Sequence, residues 1–428
     1  MSASMIPADV AEAQILSWVQ PLDPERDLET IPLFQAMGRV LATTVQSPLD
    51  FPHWDNSAMD GYAVRYADVA EASAETPVIL TVVEEIPAGK TPQRIIQSGE
   101  TARILTGSML PLGTDTIVIQ EETQRQGDGV EILAAPEPQA FVRHRASFRR
   151  AGDDLLAAGL ELHAPEIAVL AAAQWAQVPV YRRPRVAILS TGDELVMPDQ
   201  PLQPGQIVDS NQYALAALVQ AAGGEPVPLG IIPDDPEALR EAIAAALTQA
   251  DCVLSSGGVS VGDYDYVDRI LMELGAVLEI RAVAVKPGKP LTVARFPSSE
   301  PSPGQRVAPT LYFGLPGNPV SALVSFWRFV EPALRKLSGR AAGWSPVFVE
   351  ARSQQDLKAG GQRETYLWGH LASTDQGLTF SLAGGSHSSG NLINLAGTNA
   401  LAVVPVGTRL VAAGNPVAVM LVGRIGKY

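Results

Sequence analysis

Apolar positions change their spacing several times along this chain, and each change marks a different kind of element. In PADVAEAQILSWV, Val10, Ile15, Leu16 and Val19 recur at close to helical spacing and Pro7 suits a first turn, so an opening helix is predicted. From about Thr30 to about Arg145 the pattern shifts to short strand-like runs, such as TPVILTVVEEI and TDTIVIQEE, broken by Gly and Pro. A small, mostly β domain is expected there. EIAVLAAAQWAQVPVY then predicts an Ala-rich helix and an exit strand.

Between about Pro184 and Gly339 the grammar alternates: RVAILST, a helix through NQYALAALVQAAG, GIIP, a helix in DPEALREAIAAALTQ, then DCVLSSGG. This predicts an α/β domain with a mostly parallel sheet. Ser210 or Asn211 is the expected N-cap of the first helix with Gly223 beyond its end, and Asp235 before Pro236 opens the next. From about Ser345 the chain returns to short strands and turns, ending in NALAVVPVG and NPVAVMLVG, which predicts a compact C-terminal β domain.

Composition narrows the class. With 428 residues, 46% hydrophobic and 18% charged, the chain has apolar material for several cores, about three units by length. No apolar run approaches the ~18 residues of a membrane span, and MSASMIPADVAEA lacks both parts of a secretory leader, so no membrane is expected and the default location is the cytosol. The single cysteine, Cys252, excludes an internal disulfide framework and reads as a small packing residue. A net charge of −15 without a basic stripe argues against nucleic acid as a partner. Yet two of the six lysines, Lys286 and Lys289, sit three apart in KPGKP, a local concentration suited to an anion. The five histidines are scattered, so metal chemistry would rest on carboxylates and suit Mg²⁺.

In open α/β sheets ligands bind beyond the carboxyl ends of the strands. Four such ends are chemically loaded here. RVAILST leads to Gly192, Asp193 and Glu194; GIIP to Asp234 and Asp235; CVLSS to Gly257, Gly258, Ser260, Gly262, Asp263 and Asp265; TLYFG to Pro316, Gly317, Asn318, Pro319 and Ser321. SSGGVSVGDYD suits a phosphate or pyrophosphate cradle, since glycines let backbone N–H groups approach an anion. Glu194, Asp234 and Asp265 are placed to hold Mg²⁺ through oxygens and water, although each alone also serves as a cap or turn former. Lys286 and Lys289 offer two ammonium groups to one oxyanion. In the β domain, DNSAMDGYAVR and RILTGSMLPLGTDTIV place Asp55, Asn56, Asp60, Thr106 and Gly107 at turns beside strands.

Taken in order, DNSAMDGYA, RILTG, GTDTIV, STGDEL, GIIPDD, SSGGVSVGDYDYV, KPGKP and LPGNPVSA resemble the signature series of the molybdopterin molybdenumtransferases, the MoeA and gephyrin E-domain family. The resemblance runs from about Asp50 to about Phe326, and GQRETY and GSHSSGNL extend it toward the C-terminus. It implies four domains: a linker domain from 1–29 and 146–183, an inserted β-rich domain at 30–145, a molybdopterin-binding α/β domain at 184–339 and a C-terminal β domain at 345–428. It implies a homodimer with an active site shared between subunits, insertion of molybdate into molybdopterin-AMP, Mg²⁺-dependent release of AMP, and exchange with a molybdopterin adenylyltransferase and molybdoenzyme acceptors. The family's functional carboxylates fall on Asp60, Glu194, Asp234 and Asp265, and its functional threonine on Thr106. Lys286, Lys289 and Ser321 match the molybdate side, with Arg363 and Ser386; Ser388 and Ser389 are equally eligible. Gly257, Gly258, Ser260, Pro316 and Pro319 would complete the substrate contacts. An adenylyltransferase and a peptide-binding scaffold are the rival readings. Tungstate, a tetrahedral dianion of similar size, presents the same oxygens as molybdate.

Overall fold

The computed structural model describes residues 5–257, 264–297 and 309–427. RVAILST forms a strand buried along nearly its whole length, because helices cover both faces of the sheet it enters. That sheet has six strands: β1 (Arg185–Thr191), β2 (Glu225–Ile232), β3 (Cys252–Ser256), β4 (Val277–Ala282), β5 (Pro290–Phe296) and β6 (Thr310–Leu315), in the order β2-β1-β3-β6-β5-β4. Only β5 runs against its neighbours, so the sheet is mostly parallel, as expected.

Side chains alternate between two cores with the period of a strand. Val186, Ile188, Leu254 and Phe313 face one core with Leu215 and Val219 of helix α1 (Asn211–Ala221). Ala187, Leu189, Val253 and Tyr312 face the other, with Ile243 of α2 (Pro236–Gln249) and Ile270 of α3 (Tyr264–Glu273). Cys252 is a packing residue, 2% exposed. The helix α4 (Pro319–Ser325) runs on through a π-helical turn, Phe326–Val330, into Glu331–Leu337.

Helix ends partly depart from expectation. Asp235 does cap α2, its carboxylate accepting from Ala238 N at 2.8 Å, and Gly223 follows α1 with φ 87°. Ser210 holds the N-cap position of α1, but its side chain makes no capping bond. Asp209, one residue earlier, accepts from Gln212 N at 3.2 Å and from its side-chain amide at 3.1 Å. The opening helix forms over Ala8–Trp18, but its buried face is Ala8, Ala11 and Ile15, while Val10 is 41% exposed. Small alanines, which the apolar spacing did not weigh, make that contact.

Two compact units divide the chain: Met1–Thr43 with Ala158–Ala164 and Gln177–Tyr428, and Thr44–Ala157 with Pro165–Ala176. In the first, Leu28–Pro32 pairs antiparallel with Gln177–Tyr181. Also in the first, Phe348–Ser353, Glu364–Thr374, Gly377–Leu382, Ala400–Val404 and Pro416–Leu421 pair in a closed ring around Leu357, Leu371, Phe380 and Val419. The second unit holds a six-stranded sheet in which Gly61–Val64 lies between Thr116–Ile119 and Glu100–Ile104. A Cβ at Gly61 would stand 2.0 Å from the Val118 carbonyl oxygen, so the close pairing requires glycine.

Candidate functional site

The carboxyl ends of β1, β3 and β6 converge, and at the end of β3 the close approach requires glycine. A Cβ on Gly257 would meet the Thr191 carbonyl oxygen at 2.3 Å, and one on Gly317 would meet the Gly257 Cα at 3.5 Å. Beside this junction opens a cleft of about 950 Å³, lined by Glu194, Asp234, Gly257, Pro316 and Pro319 among others. The structure thus collects residues from all four of the strand ends singled out in the sequence, Gly192, Gly317 and Asn318 among them. Asp209, Asn211, Gly390 and Leu392 also line it. The last two belong to GSHSSGNL, the motif whose serines the resemblance assigns to the molybdate side.

Glu194 and Asp234 are exposed at the ends of adjacent strands β1 and β2, and Asp234 N donates to Asp193 Oδ1 at 3.1 Å. Among the described residues no three Asp, Glu, His or Cys side chains gather as a metal site. The backbone of Asp265 lies in the first turn of α3, while its side chain, and the whole of Gly258 and Ser260, lie outside the described residues. Ser190 Oγ, Thr191 Oγ1 and Asn211 Oδ1 are buried and have no hydrogen-bond partner among the described residues.

KPGKP borders the cleft through Pro290. Lys286 and Lys289 are both exposed, and Gly288 is buried with φ 104°; a Cβ there would stand 2.8 Å from Ser325 Oγ and 3.5 Å from the Ser321 carbonyl oxygen. The loop therefore rests on α4, the helix that carries Ser321. Arg363 Nη1 donates to the Val285 carbonyl at 3.2 Å, and Lys286 pairs with Thr365 in a short parallel ladder. Lys286, Lys289, Arg363 and Ser321 are thus grouped, but Ser321 is 4% exposed, which leaves little of its hydroxyl for a ligand. Ser386 is exposed and its carbonyl accepts from the Asn391 and Asn394 side chains, each at 2.9 Å. Of the three eligible serines it is Ser389 that touches α4, its carbonyl accepting from Val320 N at 3.2 Å.

In the second unit, Asp60 and Thr106 meet directly. Asp60 Oδ1 accepts from the Thr106 hydroxyl and backbone N–H, both at 2.7 Å. The hydroxyl and then the N–H hold the Asp60 carboxyl below the usual range, since both stabilise the anion. Asp55 is an anchor of the loop instead, accepting from Arg145 N at 2.6 Å.

Comparison with known proteins follows the same layout. Three family descriptions match in order: "MoeA N-terminal region (domain I and II)" over 6–173, "Probable molybdopterin binding domain" over 187–336, and "MoeA C-terminal region (domain IV)" over 350–422. The chain is 59% identical over 406 residues to a molybdopterin molybdenumtransferase of Nostoc, covering 95% of this chain and 91% of that one. It is 35% identical to the protein of that name from Haemophilus influenzae, covering 87% and 88%. The crystal structure of the molybdopterin biosynthesis moeA protein from Pyrococcus horikoshii superposes with a TM-score of 0.81 at 28% identity, covering 98% of this chain and 100% of that one. With all three regions matched in order and close relatives aligned nearly end to end, the chain belongs to the MoeA family.

Proposed function

We propose that this protein is a transferase that inserts molybdate into adenylylated molybdopterin and releases AMP. The observation that carries this reading is the cleft at the carboxyl ends of the parallel strands, which collects Glu194, Asp234, Gly257, Pro316 and Pro319 beside the KPGKP loop. The Gly257 turn, with Gly258 and Ser260, holds the phosphates of the substrate. Lys286, Lys289 and Arg363 supply the cationic donors for molybdate, with a serine of the 386–389 loop completing its surroundings and the buried Ser321 supporting the KPGKP loop from α4. Asp60, kept anionic by Thr106, acts in the same reaction.

Mg²⁺ suits the donor set: Glu194 and Asp234 present exposed carboxylates on neighbouring strand ends, and Mg²⁺ keeps most of its shell as water, needing only one or two protein carboxylates; the family resemblance adds Asp265. When bound it neutralises charge on the adenylate phosphates. The homodimer and a cytoplasmic location belong to the same reading. They are supported by the family resemblance.

The test is AMP release from molybdopterin adenylate, with and without molybdate, titrated against Mg²⁺ in wild type, Glu194→Gln and Asp265→Asn. Molybdate-dependent release in wild type, and a raised Mg²⁺ requirement or no release in the variants, is expected, with circular dichroism unchanged. Unaltered Mg²⁺ dependence in both variants would make these carboxylates turn formers. Synthesis of the adenylate from ATP and molybdopterin without molybdate would favour an adenylyltransferase, and binding without AMP release a scaffold.

A further inference from the structure

We infer that Asn211 is a positioning residue for this reaction: its side-chain amide clamps the end of β3 to the turn after β6 and so sets the shape of the cleft. Asn211 is 7% exposed and opens α1. Its Nδ2 donates to Ser256 Oγ at 2.6 Å and to the Gly317 carbonyl at 2.8 Å. Those two acceptors flank the contact between Gly257 and Gly317, where nothing but backbone meets backbone. Glycines permit that approach but do not enforce it; the amide bridging their neighbours does.

The clamp is rigid at its own base. Asp209, 2% exposed, ties down both the backbone N–H and the side chain of Gln212, so the turn that presents Asn211 is held from below. With both amide protons committed to oxygen acceptors, the orientation of the group is fixed, and Oδ1 is left buried with no partner among the described residues. A buried acceptor without a donor is a cost to stability that an apolar residue would avoid. Helix capping does not account for the amide either, because Asp209 caps α1. What the amide does provide is the fixed separation of two loops that both line the cleft.

The inference rests on the reading that the cleft takes molybdopterin adenylate, and two independent measurements separate them. In Asn211→Asp the shape is kept, but a carboxylate faces the Gly317 carbonyl and the clamp is lost. Amide exchange in the 252–257 and 315–319 segments should quicken in this variant. Its KM for molybdopterin adenylate, or its Kd for AMP, should rise on the order of 10-fold or more, since small misplacements of positioned groups carry large penalties. The half-saturating molybdate concentration should stay unchanged. Ser256→Ala, which removes one of the two bonds and guards against a folding defect at residue 211, should raise KM less, and the double variant less than additively. Unchanged exchange, or quickened exchange with normal KM and AMP affinity, overturns the inference whether or not the enzyme inserts molybdenum. A wild-type chain inactive with molybdate, but whose AMP affinity depends on Asn211, would remove the proposed reaction and leave the clamp.

Discussion

At the scale of single residues, one threonine biases the charge of a neighbouring carboxylate. Thr106 supplies two donors to one oxygen of Asp60, the hydroxyl contributing more than the backbone N–H to the lowered pKa. Thr106→Val deletes the hydroxyl and leaves the N–H, so the Asp60 pKa should move up toward the ordinary carboxylate value without fully reaching it. A folded-state pKa held low adds stability at pH values above the unfolded-state pKa, and this is lost as pH falls through the folded one. The variant should therefore lose less stability than wild type on acidification through that window. Carbon-detected titration of the Asp60 carboxyl checks the direction, and an unshifted midpoint would show that the hydroxyl is incidental. The lysines of KPGKP make a separate prediction. Each offers a charge-assisted donor worth about 1.5–3 kcal/mol to a bound oxyanion. Lys286→Ala and Lys289→Ala should each raise the half-saturating molybdate concentration by roughly 10- to 150-fold while leaving adenylate affinity near normal. Saturation of both variants at the wild-type concentration would make them surface charges.

At the scale of elements, the opening helix is pinned by charge as well as by its alanines. Arg328, 5% exposed in the π-helical turn, bonds to Glu12 and donates to the Tyr366 hydroxyl at 2.9 Å, and Tyr366 in turn donates to Glu364. Burial works against the Arg328 charge, but Tyr366 and Glu12 more than offset it and its pKa is raised. Glu12→Ala would leave a buried guanidinium short of its carboxylate, at about 3–5 kcal/mol. Asp235→Ala, which removes only the cap of α2, should cost about 1 kcal/mol. Urea unfolding of the two variants should rank them in that order; the reverse would mean that water reaches Arg328. This network was not legible in the sequence, since no local pattern links residues 12, 328 and 366. Strand ends and glycine turns were legible, because a buried strand, a tight turn and a helix start each leave a signature within a few residues. The cap of α1 fell between these cases. Asp209, Ser210 and Asn211 are all good capping residues, and only the fold decides which one meets the helix N–H.

At the scale of the whole molecule, the first compact unit is assembled from three stretches of chain and the second from two. Its Leu28–Pro32 strand waits on Gln177–Tyr181, Ile6 N donates to the Ala282 carbonyl at 3.1 Å, and Glu12 meets Arg328 across 316 residues of sequence. On a ribosome adding about 5–20 residues per second, the N-terminal helix would emerge roughly 15 to 60 s before its partner arginine exists. For most of that interval, once residue 119 has emerged, the strands Gly61–Val64, Glu100–Ile104 and Thr116–Ile119 have one another. Birth order and chain order therefore diverge: the inserted unit is free to fold first, and the segment made earliest docks among the last. Ribosome-arrested chains of about 250 residues should resist protease across the inserted sheet and be cut readily before residue 20, with protection of that segment appearing only once Arg328 has cleared the exit tunnel. Early protection of residues 6–18 would mean that a trigger factor or a non-native contact shelters the helix while it waits.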